Sequence, residues 1–240
     1  MNTEQTVSRI LIVDDHAIVR RGFSELVSNE PGLEVCGEAD SAELAMQVIE
    51  EHEPDLVIVD ITLKDSNGLD LIKRIRARNE QTIILVVSMF EESLYGERVL
   101  DAGAKGYVSK QEATDNVIDA IHRILDDHFY VSDELKKRYF DNPTGSGKNT
   151  SRSSIERLTN RELQVYELLG HGNSARKIAA QLGLSVKTIE THREHIKDKV
   201  KVKNSTELNK HAIAWVLQGG KPEQSGQQTQ TKDQDEDGAG

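Results

Sequence analysis

Short apolar runs alternate with amphipathic stretches across the first half of the chain. The runs fall at residues 10–13, 33–37, 56–59, 83–87 and 105–108. Most are Val, Ile and Leu with little polar alternation, the pattern of parallel strands covered on both faces. Between them lie segments with helical spacing: Ala42, Leu44, Ala45, Val48 and Ile49, then Leu69, Ile72 and Ile75, then Val117, Ile118, Ile121 and Leu125. Asp40 and Glu43 read as the N-cap and N3 residues of the first of these. Pro31 and Pro54 precede strands, in loops, where a missing N–H does no harm. Five β-α repeats in this span predict a doubly wound α/β sandwich.

From residue 155 to 218 the pattern is helical and short. Thr159 and Glu162 have the spacing of a capping box, and Leu163, Tyr166, Leu168 and Leu169 supply an apolar face. A second helix carries Ile178, Ala179 and Leu182 and is stopped by Gly183. Ser185 caps a third, with Ile189, Ile196 and Val200 inward. A fourth follows Asn204, with Leu208, Ala212 and Trp215 on one stripe. Residues 142–151 are polar with Gly and Ser and read as a flexible linker, with a helix over 132–140 before it. Residues 219–240 have no apolar face and read as a disordered tail. The expected division is therefore 8–127, a linker at 128–153, a helical domain at 154–218 and a tail at 219–240.

Composition adds one surprise. The chain is acidic overall, with a net charge of -11 and a pI near 5.2. Residues 1–130 hold 12 Lys+Arg against 26 Asp+Glu, a net of -14, while residues 155–218 hold 11 against 7, a net of +4. The acidic total hides a basic C-terminal half, the charge a nucleic-acid partner needs. No apolar stretch approaches the ~20 residues of a membrane helix. The first residues lack the basic flank and apolar core of a secretory signal. One cysteine, Cys36, excludes a disulfide framework and reads as a small buried hydrophobe in a strand, with the cytoplasm as the expected compartment.

Three carboxylates end two of the apolar runs: Asp14 and Asp15 after the first, Asp60 after the third. In open α/β sheets, ligands lie at the carboxyl ends of strands near the topological switch. Crowded carboxylates raise one another's pKa unless a cation intervenes, and an all-oxygen cluster suits Mg²⁺. Ser88 ends the fourth run and Lys110 follows the fifth, so a hydroxyl and an ammonium would face the acidic group. Such a set can hold a phosphoryl group on Asp60. Taken singly, each residue has a plainer role: Asp14 or Asp15 as a helix cap, Ser88 as a strand end, Tyr107 as packing, Lys110 as a surface charge.

Together with Asn67-Gly68 and Tyr107-Val108-Ser109-Lys110, these residues resemble the receiver domain of two-component response regulators. The resemblance implies a flavodoxin-like (βα)5 fold with Asp60 as phosphoacceptor. Mg²⁺ would be ligated by Asp15, Asp60 and the main-chain carbonyl of Thr62, with Asp14 acting through water. Ser88 and Tyr107 would be a switch pair, Ser88 moving to the phosphoryl group and Tyr107 turning inward, and Lys110 would bind the phosphate. Lys64 stands where the family usually has proline. An aspartyl-phosphate hydrolase also uses a strand-end Asp, but typically carries a second Asp two positions on, where this chain has Thr62.

Residues 158–163, Ile178-Ala179 and 185–192 resemble the LuxR-type four-helix DNA-binding domain, an all-α helix-turn-helix fold, with Asn160 in place of a more usual proline. The third helix would enter the major groove of double-stranded DNA with Lys187, Thr188, Glu190, Thr191, Arg193, Glu194 and Lys197 exposed. The cations and Thr188 suit phosphate contacts, and the glutamates can accept from cytosine N4. The alternative for Glu190 and Glu194 is pairing along the helix with Arg193 and Lys197. The last helix resembles the family's dimerisation helix, with Trp215 in its interface or in the core. The two resemblances together imply a NarL/FixJ-type response regulator rather than an enzyme, with a sensor histidine kinase as partner and a homodimer on DNA when phosphorylated. A DNA-binding protein with a relict receiver is the other reading.

Overall fold

A computed structural model describes residues 7–63, 66–78, 81–140 and 154–218. The first half runs β1 (Ser8–Val13), α1 (Ala17–Ser28), β2 (Leu33–Ala39), α2 (Ala42–His52) and β3 (Leu56–Val59). A small antiparallel pair follows, β4 (Thr62–Leu63) and β5 (Ser66–Asn67), then α3 (Gly68–Arg78), β6 (Ile83–Ser88), α4 (Glu92–Ala102), β7 (Gly106–Ser109) and α5 (Ala113–Leu125). The five main strands are parallel in the order β2-β1-β3-β6-β7. This is the doubly wound order expected, with its switch point between β1 and β3.

Strands β1, β3, β6 and β7 are largely buried on both faces, which explains their apolar runs, while the edge strand β2 leaves Glu34 and Glu38 exposed. Ile10, Ile12, Leu56, Ile58, Leu85 and Val87 point toward α1 and α5. Leu11, Val13, Val57, Val59, Ile84 and Val86 point the other way, into a core shared with α2, α3 and α4. Successive side chains alternate between two apolar layers, so no polar position is left in the run. Register then places the chemistry: β1 and β3 pair Ile10 with Leu56 through to Val13 with Val59. Asp14 and Asp60, the next residue on each strand, emerge level and side by side.

Two local expectations change. The cap of α2 is Ser41, not Asp40: the Leu44 N–H donates to Ser41 Oγ, while Asp40 is exposed. Adjacent Asp and Ser are both good caps, and the extended backbone of Ser41 decides between them. Cys36 lies in β2 as expected but is only half-buried. After α5 the chain stays on the sandwich through α6 (Asp133–Phe140), where Leu135 is buried, the Ser132 N–H donates to Glu92 Oε1 at 3.0 Å and Arg138 pairs with Glu97 at 3.0 Å. The predicted flexible linker at 142–151 and the tail at 219–240 lie outside the described residues.

The C-terminal half is four helices: α7 (Asn160–Gly170), α8 (Ala175–Gln181), α9 (Val186–Val200) and α10 (Ser205–Leu217). Their starts are written in the sequence. The Thr159 capping box is closed in both directions, the Thr159 N–H donating to Glu162 Oε2 at 2.7 Å and the Glu162 N–H to Thr159 Oγ1 at 3.3 Å. Ser185 and Asn204 cap α9 and α10. Gly183, after α8, takes a left-handed φ of 63° that turns the chain into α9. Trp215 is buried against Tyr166, with ring centroids 5.1 Å apart, and so belongs to the core of this domain. Among the described residues no helix is long and apolar enough to cross a membrane.

Candidate functional site

The strand ends bring Asp14, Asp60 and Lys110 into contact. Lys110 Nζ is 2.6 Å from Asp60 Oδ2 and 2.5 Å from Asp14 Oδ2, and all three side chains are buried. Asp15 is nearby and half-buried, with its Oδ1 2.7 Å from His16 Nδ1. The two carboxylates do not cap α1: Asp14 Oδ1 accepts from the His16 N–H at 2.8 Å, one residue before the helix. Asp14, Asp15, His16 and Asp60 each offer a ligand atom within 4.8 Å of the others. The carboxylate oxygens among them form a donor set that fits a hard divalent cation.

Burial pushes the Asp60 carboxyl up to about 6, with Asp14 adding to the rise and Lys110 opposing it. Asp60 is thus largely ionised at neutral pH. Asp15 is raised by burial, opposed by His16. Burial pulls the Lys110 ammonium down, but Asp60 and Asp14 outweigh it and hold it above the ordinary lysine value. The Thr62 N–H donates to Asp60 Oδ1 at 3.2 Å, tying the loop to the carboxylate it follows. Gly68 closes the other side. A Cβ there would lie 2.1 Å from the Asp60 main-chain oxygen, so only glycine fits.

Ser88 is fully buried, and its Oγ accepts from the Phe90 N–H at 3.3 Å. The Tyr107 hydroxyl donates to the Phe90 carbonyl at 2.7 Å. Tyr107 points inward, with 3 % of its surface exposed. Phe90 stacks on Tyr95 of α4 with ring centroids 4.8 Å apart. A continuous path of contacts therefore leads from Ser88 to the face of α4.

That face is covered by α7. Arg98 of α4 donates to the Leu158 carbonyl and to Asn160 Oδ1, both at 2.9 Å. Asn160 thus provides an acceptor that a proline there could not. Gln164, fully buried, donates from Nε2 to the Ile61 carbonyl at 3.4 Å, beside the phosphoacceptor candidate. Its Oε1 accepts from Arg161 at 2.9 Å. Glu167 is buried in the same contact. The apolar layer on this side of the sheet continues into the helical domain. A cavity of about 690 Å³ remains beside it, lined in part by Arg98, Asp101, Glu156, Asn160 and Trp215. Sequence reasoning missed Tyr95, Arg98, Gln164 and Glu167. One signal was available: Leu163, Val165, Tyr166 and Leu169 spread beyond a single stripe, the mark of a helix buried on two sides.

On α9, Lys187, Glu190, Thr191 and Glu194 are exposed, while Thr188, Arg193 and Lys197 are half-buried. Glu190 pairs with Arg193 at 3.1 Å and Glu194 with Lys197 at 2.7 Å. The glutamates here offset their own helix's cations.

Comparison with known proteins agrees with both halves. Residues 10–122 match the response regulator receiver domain, and residues 156–212 match the bacterial regulatory proteins of the luxR family. The oxygen regulatory protein NreC of Staphylococcus carnosus is 32% identical over 213 residues, covering 87% of this chain and 98% of that protein. Among solved structures, a LuxR-family two-component response regulator from Aurantimonas sp. SI85-9A1 is 34% identical, with a TM-score of 0.52 over 55% of this chain and 94% of that one. RcsB from Salmonella enterica serovar Typhimurium, bound to promoter rprA in the presence of phosphomimetic BeF3-, is 25% identical, with a TM-score of 0.58 over 86% of this chain and 98% of that one. The chain belongs to the two-component response regulators that join a receiver to a LuxR-type DNA-binding domain. It is a transcription regulator of that family rather than an enzyme.

Proposed function

We propose that Asp60 accepts a phosphoryl group from a sensor histidine kinase and that the new charge controls where α9 can bind. The contact of Lys110 with both Asp60 and Asp14 carries this reading, because it provides a cation beside an ionised, buried nucleophile. Attack by Asp60 Oδ on the donor phosphorus forms the acyl phosphate and releases the donor's imidazole. Lys110 then offsets charge on the phosphoryl oxygens. Asp15 and Asp60, with the Thr62 carbonyl and with Asp14 through water, would hold Mg²⁺, which when bound supplies further positive charge to those oxygens. Ser88 donates to the phosphoryl group. Its movement draws on Phe90, and through the Phe90–Tyr95 stack on the α4 face that α7 covers.

On this reading residues 8–127 are the receiver, 128–153 connect it to the DNA-binding domain at 154–218, and 219–240 form a tail. Release of α7 frees the helical domain to pair with a second copy and bind a two-fold DNA site. Lys187, Thr188, Arg193 and Lys197 would contact phosphates, Thr191 faces the same groove, and Glu190 and Glu194 would exchange their intrahelical partners for base edges. The protein would act in the cytoplasm. Asp60→Asn should take up no label from a radioactive phosphodonor in Mg²⁺, and should bind promoter DNA no better with donor than without. Retained Mg²⁺-dependent labelling would overturn the assignment.

A further inference from the structure

Glu167 is the buried charge that the phosphorylation chemistry does not use. It projects from α7 into the contact with the receiver and is 4 % exposed. Its Oε2 and the buried hydroxyl of Tyr95 make no hydrogen bond of ordinary geometry, although that hydroxyl is close enough to act on the carboxyl as a donor. The groups around it come from three elements. Glu91, the exposed N-cap of α4, and Tyr95, within α4, both act on the carboxyl. Tyr107 of β7 has its hydroxyl within the field of Glu167, as well as near Asp60 and Glu92. Arg98 of α4 and Arg161 of α7 act on Tyr95, whereas the groups that act on Glu167 are Glu91 and Tyr95. An ionised glutamate here would be buried beside a second carboxylate, with no cation to answer it.

We infer that Glu167 is a proton-operated latch, neutral when the two domains are closed and ionised when α7 swings free, so that closure takes up one proton. A neutral carboxyl carries a proton to donate toward Tyr95 and places no charge against Glu91. Burial pushes its pKa to about 8, with Glu91 adding to the rise and the Tyr95 hydroxyl opposing it. In the separated form the same side chain meets water and returns to the ordinary glutamate range, about 4.3. The sign follows from linkage. Closure is undiminished below the ordinary value, weakens by up to about tenfold per pH unit between the two values, and levels off above the upper one. The latch acts on the unphosphorylated chain, so it goes beyond the phosphoacceptor reading and does not depend on it. It makes the regulator sensitive to alkalinisation through a residue of the DNA-binding domain.

The test is small-angle scattering of the full-length, unphosphorylated protein at about pH 6 and about pH 9, which span the upper half of the transition. Wild type should be compact at the lower pH and more extended at the higher. Glu167→Gln should stay compact at both, because it mimics the neutral form. Asp60 also titrates near the lower pH, so the latch is read from the difference between wild type and Glu167→Gln. Circular dichroism checks that the variant folds; if it does not, Glu91→Gln on the exposed end of α4 replaces it and should weaken the pH response. Equal dimensions of wild type at both pH values, or an undiminished response in either folded variant, would overturn the inference.

Discussion

Gly68 lies against the main chain of Asp60 and Ile61 so closely that a methyl group has nowhere to go. A Cβ would meet the Asp60 oxygen at 2.1 Å and the Ile61 Cα at 2.8 Å, and both are backbone atoms that cannot rotate aside. Gly68→Ala should therefore cost about 1–3 kcal/mol of receiver stability, the range for overpacking a filled site. Urea denaturation measures this, and phosphodonor labelling of the same variant should be slower because Asp60 is the residue displaced. The carboxylates were legible because a charge ending an apolar strand has few structural uses. The state of Tyr107 was not. Whether a ring lies in or out depends on what it meets there, and here its hydroxyl finds the Phe90 carbonyl on another element.

The parallel strands β1, β3, β6 and β7 could be read from their apolar runs because they are largely buried on both faces. The β4–β5 pair could not: two-residue strands carry no period to detect. The cap was legible at Ser185, which stands alone, and at Thr159, where Glu162 completes a capping box, and failed at Asp40 and Ser41, where two candidates competed. The Thr159 box has a further partner, since Lys199 of α9 lies 2.5 Å from Glu162 Oε2. Burial would raise Glu162, but the Lys199 and Thr159 bonds prevail and hold it below the usual carboxylate range. Thr159→Ala should destabilise the helical domain by about 1 kcal/mol, as loss of an N-cap does. A lowered melting temperature, with no change in Asp60 labelling, is the expected result.

At the scale of the whole molecule, contact between domains was the least legible feature. α7 carries its polar interface on Gln164 and Glu167, residues that look like solvent positions until a second domain is placed over them. Arg98 is the principal clasp, donating to Leu158 and Asn160 across the gap. Hydrogen bonds from a charged donor contribute about 1.5–3 kcal/mol each. Arg98→Ala should therefore shift the closed form toward the separated one by at least about tenfold. Faster protease cleavage between the domains and tighter DNA binding without phosphodonor are the measurements that check it.

The Gln164 bond to Ile61 joins residues 103 positions apart. All the groups that hold Asp60 lie between Asp14 and Lys110, so a ribosome finishes the receiver well before it makes α7. Domains emerging in this order fold as units, the first one first. For the time it takes to synthesise the remainder, the nascent regulator has a complete Asp60 pocket that α7 does not yet cover. Newly made molecules would thus meet the kinase uncovered, and only later acquire the helix that restrains them.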